Sequence, residues 1–152
     1  MENILFVCTG NTCRSCMAEA IFNFKSDIKN IRAISAGLSV VPNSAASENS
    51  VIVLKENINI NISGRKALQL NSLMLENSKI VLTMTAYMRD ILKQNFINYR
   101  NKIYTLNEFI LLKGDIKDPF GQDVHEYRIT YTELESSISL LIKKLKEDMS
   151  II

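Results

Sequence analysis

Apolar positions along this chain fall into two kinds of segment that take turns. Short runs come first: NILFVC (3–8), IRAISAG (31–37, stopped by Gly37), NSKIVLTM (77–84) and KIYTL (102–106) have the length and the branched side chains of buried strands. Between them lie segments whose apolar residues recur at helical spacing. Met17, Ala20, Ile21 and Phe24 mark one face of a helix through CRSCMAEAIFNF, which follows the first strand after a single turn signal, TGN. SAASENSVIVLKEN (44–57) reads as a second helix with Ser44 as its N-cap, and AYMRDILKQNF (86–96) as a third. From about Asp123 to Asp148, Val124, Tyr127, Tyr131, Leu134, Ile138, Leu141 and Leu145 alternate spacings of three and four. Over so few heptads this stripe is read as the core face of a helix lying on the sheet rather than a coiled-coil seam. Strand and helix alternation predicts an α/β fold, a four-stranded parallel sheet with helices on both faces, in one domain over residues 1–152.

Composition adds limits. A chain of 152 residues buries roughly two-thirds of its unfolded surface and needs neither disulfide nor metal to fold. With 47% hydrophobic and 22% charged residues it is an ordinary globular composition. A net charge of +2 is too small to argue for nucleic acid or an anionic membrane as partner, so any basic site is local. The longest apolar stretches fall far short of the roughly 20 residues of a transmembrane helix, and no signal-peptide pattern opens the chain, so a cytoplasmic location is expected. Thiols are then expected to be reduced, and an odd number of them argues against a disulfide framework.

All three cysteines lie within CTGNTCRSC (8–16), and that cluster has four readings. Its C-x4-C-x2-C spacing matches the first ligands of a plant-type iron-sulfur site, but a fourth cysteine is missing. Zinc would need His125 as the fourth ligand, from a segment that looks like one strand-loop-helix rather than two knuckles. A papain-like Cys–His125 pair has no support in the residues around either partner. Three small buried side chains with no chemistry form the third, bland reading. The fourth uses the residues between: Cys8 ends a strand, Arg14 lies six positions on, and Ser15 follows at the start of a helix. Such a loop aims backbone N–H groups and a helix dipole at one point, which favours an anion, and Arg14 adds a planar fork for phosphate oxygens. The same field favours the thiolate of Cys8, placing a nucleophile at the floor of a phosphate pocket. Hydrolysis also requires a proton donor for the leaving group, and IKDPFGQD (116–123) offers Asp118, stiffened by Pro119, in a loop ahead of the last helix. Asp-Pro as a simple turn initiator is the competing reading of that loop.

VCTGNTCRSCMAEAIF, SAG (35–37), IVLTMT (80–85) and DPFG (118–121) together resemble the low-molecular-weight protein tyrosine phosphatase family, in the family's order and over nearly the whole chain. The resemblance implies a four-stranded parallel sheet flanked by helices, no metal and no cofactor. By matching position it implies that Cys8 attacks phosphorus and forms a phosphocysteine, while Arg14 and the loop of Thr9, Gly10, Asn11, Thr12, Cys13 and Ser15 hold the phosphoryl oxygens. Ser15 would also hydrogen-bond the thiolate, Asn11 would pin the loop's unusual backbone, and Asp118 would act as acid and then as base. Cys13 would be a redox neighbour able to form a protective disulfide with an oxidised Cys8.

Two departures matter. Tyrosine-specific members usually carry a bulky aliphatic residue where this chain has Thr12, and CTGNTCRS with DPFG resembles the bacterial protein arginine phosphatase branch. A hydroxyl suits the polar guanidinium of phosphoarginine better than an isoleucine would, and Phe120 would line the mouth against the substrate's aliphatic stem. Phosphoarginine in proteins is therefore the expected substrate, with phosphotyrosine the alternative. An arsenate reductase of the same loop would need further cysteines downstream, and a non-catalytic phosphoprotein-binding module would lack nucleophile or acid; neither pattern is present. The family's proline after Arg-Ser is here Cys16, expected to be an inert helix-start residue or a spare thiol. The expected working form is a monomer acting on phosphorylated proteins.

Overall fold

The computed structural model describes residues 1–150, so the last two positions of the expected 1–152 domain lie outside the described residues. Four parallel strands, β1 (Glu2–Cys8), β2 (Ile31–Gly37), β3 (Ser78–Thr83) and β4 (Ile103–Thr105), form one sheet in the order β2-β1-β3-β4. Helices α1 (Arg14–Lys25), α2 (Glu48–Ile58), α3 (Ser72–Glu76), α4 (Ala86–Asn95), α5 (Leu106–Phe109) and α6 (Val124–Ser150) fill the connections, with a 3-10 turn at Ile97–Lys102.

Period-two alternation along β1 explains why both faces are covered. Ile4, Phe6 and Cys8 point into one core with α1, α2 and α6, where Met17, Ile21, Phe22, Val53, Tyr131, Leu134 and Leu141 are buried. Leu5 and Val7 point the other way, joining Ala36, Val81, Ile103, Leu75 and Leu92 on the side of α3 and α4. The stripe read from the last segment is indeed a core face: Tyr127, Tyr131, Leu134, Ile138, Leu141 and Leu145 are buried.

Differences from the sequence reading have local causes. The second helix starts at Glu48 because Ser47, not Ser44, presents its hydroxyl to an N–H of the first turn, that of Ser50. The fourth strand stops at Thr105, whose side chain and Glu108 form a reciprocal capping box that turns the chain into α5. Helices α3 and α5, of five and four residues, were not foreseen.

Topology fixes where a ligand can sit. The chain leaves β1 toward β2 on one side, while β3 lies on the other, so the connections beyond the carboxyl ends of β1 and β3 diverge and leave a crevice. The loop after Cys8 occupies that crevice. Cys8 pairs with Gly37 at the end of β2, and the chain continues in step, Leu38 N–H donating to the Cys8 carbonyl and Ser39 N–H to that of Thr9, each at 2.9 Å.

Gly37 makes this approach possible. A Cβ there would lie 2.8 Å from the Thr9 carbonyl oxygen and 3.0 Å from the Asn11 nitrogen, both backbone atoms of the loop. Gly37→Ala is therefore expected to destabilise the fold by about 2 kcal/mol and to displace the loop. Urea unfolding measures the first effect, and an unchanged midpoint would show that the loop yields without cost.

Candidate active site

The segment 9–13 links a buried strand end to a buried helix start, so its backbone must reverse within a few residues. Asn11 makes the reversal in the left-handed region, at φ 57°. Its carboxamide, fully buried, has every hydrogen-bonding position occupied. Nδ2 donates to Ser15 Oγ at 2.8 Å and Ser35 Oγ at 3.0 Å, and Oδ1 accepts from Arg65 Nη1 at 3.0 Å and Leu68 N at 2.9 Å. Arg65 is held in turn by Glu19 at 3.1 Å and Ser35 at 2.8 Å.

This network sets the surroundings of Cys8. Ser15 Oγ, which accepts from Asn11 Nδ2, lies in hydrogen-bonding contact with the Cys8 sulfur at 2.8 Å, and Asn11 N–H donates to the same sulfur at 3.3 Å. A hydroxyl and a backbone N–H thus converge on a buried Sγ. Helix α1 begins immediately beside it with no side-chain cap at Cys13 and no acidic residue in its first turn, although α2, α3, α4 and α5 all carry side-chain caps. The positive end of α1 is left uncompensated by the chain itself.

Arg14 opens that helix and is buried. Its Nη1 donates to the Ile116 carbonyl at 2.9 Å, its Nη2 stands 3.4 Å from Asp118 Oδ2, and its buried Nε has no hydrogen-bond partner. The strap carrying Asp118 is fastened at both ends of this contact: Ile116 N–H donates to the Met84 carbonyl beyond β3 at 2.9 Å. Asp118 Oδ1 accepts from Phe120 N–H at 3.0 Å across Pro119, leaving Oδ2 toward Arg14.

A cavity of about 490 Å³ opens above Cys8. Thr9, Gly10, Thr12, Cys13 and Arg14 line it from the loop, Asp118 and Phe120 from the strap, and Ser39, Val41, Ser44, Ala45 and Ser47 from the segment before α2. Of the residues singled out in the sequence, Asn11 and Ser15 are absent from this lining and sit behind the loop. His125 is exposed and does not line the cavity, and no three His, Cys, Asp or Glu side chains among the described residues are grouped as metal ligands. The bracing residues Glu19, Ser35, Arg65 and Tyr127 carried no local signal; only SAG (35–37) stood out, as part of the resemblance. Tyr127 reaches the loop from α6, its hydroxyl 3.1 Å from Cys13 Sγ, and burial followed by that sulfur pushes its ionisation up to about 12.

The family model described as low molecular weight phosphotyrosine protein phosphatase matches residues 3–151, and the chain belongs to that family. A protein-arginine-phosphatase of Bacillus subtilis (strain 168) is 39% identical over 150 residues, covering 96% of this chain and 98% of the relative. Among solved structures, a low molecular weight protein tyrosine phosphatase from T. tengcongensis superposes with a TM-score of 0.90 at 41% identity, covering 95% of this chain and 99% of the other. The YwlE arginine phosphatase, in a cysteine-to-serine mutant with its active site serine phosphorylated, gives 0.91 at 37% identity over 99% of both chains.

Cys16 occupies the first turn of α1, with its thiol donating to the Cys13 carbonyl at 3.2 Å and facing away from the cavity. Burial first, and then the Cys8 sulfur, push its ionisation far above the ordinary value of 9.0. Above that value the unfolded chain releases this proton and the folded chain keeps it, so stability falls as pH rises. The thermal midpoint should drop between about pH 9 and 11 more steeply in the wild type than in Cys16→Ala. Parallel slopes would show that this thiol does not couple folding to pH.

Proposed function

We propose that this chain is a protein phosphatase working through a phosphocysteine, with phosphoarginine residues as its substrate. One observation carries the reading: a buried cysteine sulfur in contact with the Ser15 hydroxyl and the Asn11 N–H lies beside a buried arginine whose Nε is unpartnered, at a helix N-terminus without a side-chain cap. Each of these features is costly without an anion and useful with one. The substrate class is supported by the curated Bacillus relative, a protein-arginine-phosphatase, and by the presence of Thr12 in the cavity lining.

Cys8 Sγ attacks phosphorus in line, and the P–N bond to the guanidinium breaks as the S–P bond forms. Arg14 turns its Nε and Nη2 edge to two phosphoryl oxygens, which compete with Asp118 for Nη2, while Nη1 stays anchored on Ile116. Loop amides from Thr9 to Ser15 take the remaining oxygen charge. Asp118 in its acid form gives a proton to the departing nitrogen, and its carboxylate then takes one from the water that breaks the S–P bond and releases phosphate. The proton from Ser15 stabilises the thiolate as attacking group and again as leaving group. Phosphorylated proteins in the cytoplasm are the substrates, the protein acts as a monomer, and no cofactor takes part.

Asp118→Asn is expected to lower kcat by about 10²–10⁴ while the Cys8→Ser form is inactive. Turnover measured side by side on phosphoarginine and phosphotyrosine should favour phosphoarginine, and Thr12→Ile should reverse or erase that preference. A wild type that favours phosphotyrosine, with a Thr12→Ile form that behaves identically, would transfer the assignment to tyrosine.

A further inference from the structure

A second cavity, of about 510 Å³, lies beside the first and is separated from it by one thin partition, for Thr9 and Ser39 line both. Both partition residues are exposed, and they are tied to each other through the Ser39 N–H and the Thr9 carbonyl at 2.9 Å. They form a saddle between the two cavities. Beyond it the floor is apolar, made by Leu38 and Leu70 on one side and by Met88, Ile91 and Phe96 of the α4 region on the other. The rim is neutral and polar: Gln69 is committed to the backbone of Val40 and Leu38, and Tyr87, three-quarters exposed, stands over the opening. Among the described residues, no Asp, Glu, Lys, Arg or His lines the groove.

We propose that this groove is a docking site for the substrate polypeptide, taking an uncharged apolar side chain close in sequence to the phosphorylated residue. The inference rests on the phosphatase reading above. Its first ground is continuity: a phosphorylated side chain seated over Cys8 leaves its backbone at the cavity mouth, and in extended chain each further residue advances about 3.3 Å, so near neighbours reach across the saddle. A second ground is chemistry. An apolar floor without a charged group gains from burying a leucine or a methionine and leaves an aspartate or lysine desolvated without a partner. Charged neighbours are therefore disfavoured, which gives the enzyme a preference among phosphorylated sites independent of the phosphoresidue itself.

The test compares short phosphoarginine peptides that differ only in flanking leucines or flanking glutamates, with p-nitrophenyl phosphate as a substrate too small to cross the saddle. The wild type should favour the leucine peptide by about tenfold in kcat/KM. In Ile91→Asp and in Tyr87→Ala the ratio of leucine-peptide to p-nitrophenyl phosphate turnover should fall, by about tenfold for the first. Because a ratio is read, loss of folded protein cannot mimic the effect. Equal turnover of the two peptides by the wild type, or an unchanged ratio in Ile91→Asp, overturns the proposal. If the wild type hydrolyses none of the three substrates, the phosphatase reading fails separately. Anisotropy with the Cys8→Ser form then decides the groove: tighter binding of the leucine peptide, lost in Ile91→Asp, upholds docking, and equal binding overturns it.

Discussion

The arrangement at the sheet's carboxyl edge depends on the orientation of one buried carboxamide. Arg65 Nη1 and Leu68 N–H can only donate, so the Asn11 oxygen must face them and its nitrogen must face Ser15 and Ser35. That choice propagates. Ser15 Oγ is held against the Cys8 sulfur, and Asn11 itself stays in the left-handed conformation that brings its N–H to the same sulfur. Four parts of the chain, the loop, α1, β2 and the segment before α3, are thus joined through one side chain that never lines the cavity. An aspartate there would present an acceptor where two donors are needed, and would set a negative charge behind the proposed nucleophile.

Stability and chemistry pull against each other at this site. A buried guanidinium with an unpartnered N–H and a helix start without a cap are losses that the rest of the fold must offset. The offset is visible in the doubly covered sheet, where β1 is buried from Ile4 to Cys8 and packed on both faces. A strand held so tightly gives its last residue, Cys8, little freedom, which suits the in-line attack proposed for it.

Much of this was legible in the sequence, because the informative features are local. Strand runs and helical stripes each lie within a window of a few residues, and CTGNTCRS places Cys8, Arg14 and Ser15 within one short stretch. Asp118 could be proposed because chemistry demands an acid and Asp-Pro-Phe-Gly is conspicuous. What escaped notice is what the topology brings from afar. Arg65 sits in NISGRK with nothing to distinguish it from a surface arginine, and its partners Asn11, Glu19 and Ser35 are separated from it by whole elements. Tyr127 reads as a core residue, and it is one, but its hydroxyl also reaches Cys13. Helices α3 and α5 are shorter than the period needed to see them, and SAAS offers two serines as caps with only the tertiary path choosing between them.

Arg14 raises a question of attribution. Its Nη1 fastens the strap at Ile116 that positions Asp118, while its other edge faces the cavity. On the proposed mechanism, removing the side chain would therefore withdraw a phosphate ligand and unfasten the acid in one stroke, and the measured loss would belong to neither. Energies from truncating Arg14 and Asp118 would fail to add, since each substitution already spoils part of what the other does. A cycle built on these two residues would report the stiffness of the strap as much as the strength of any contact with phosphate.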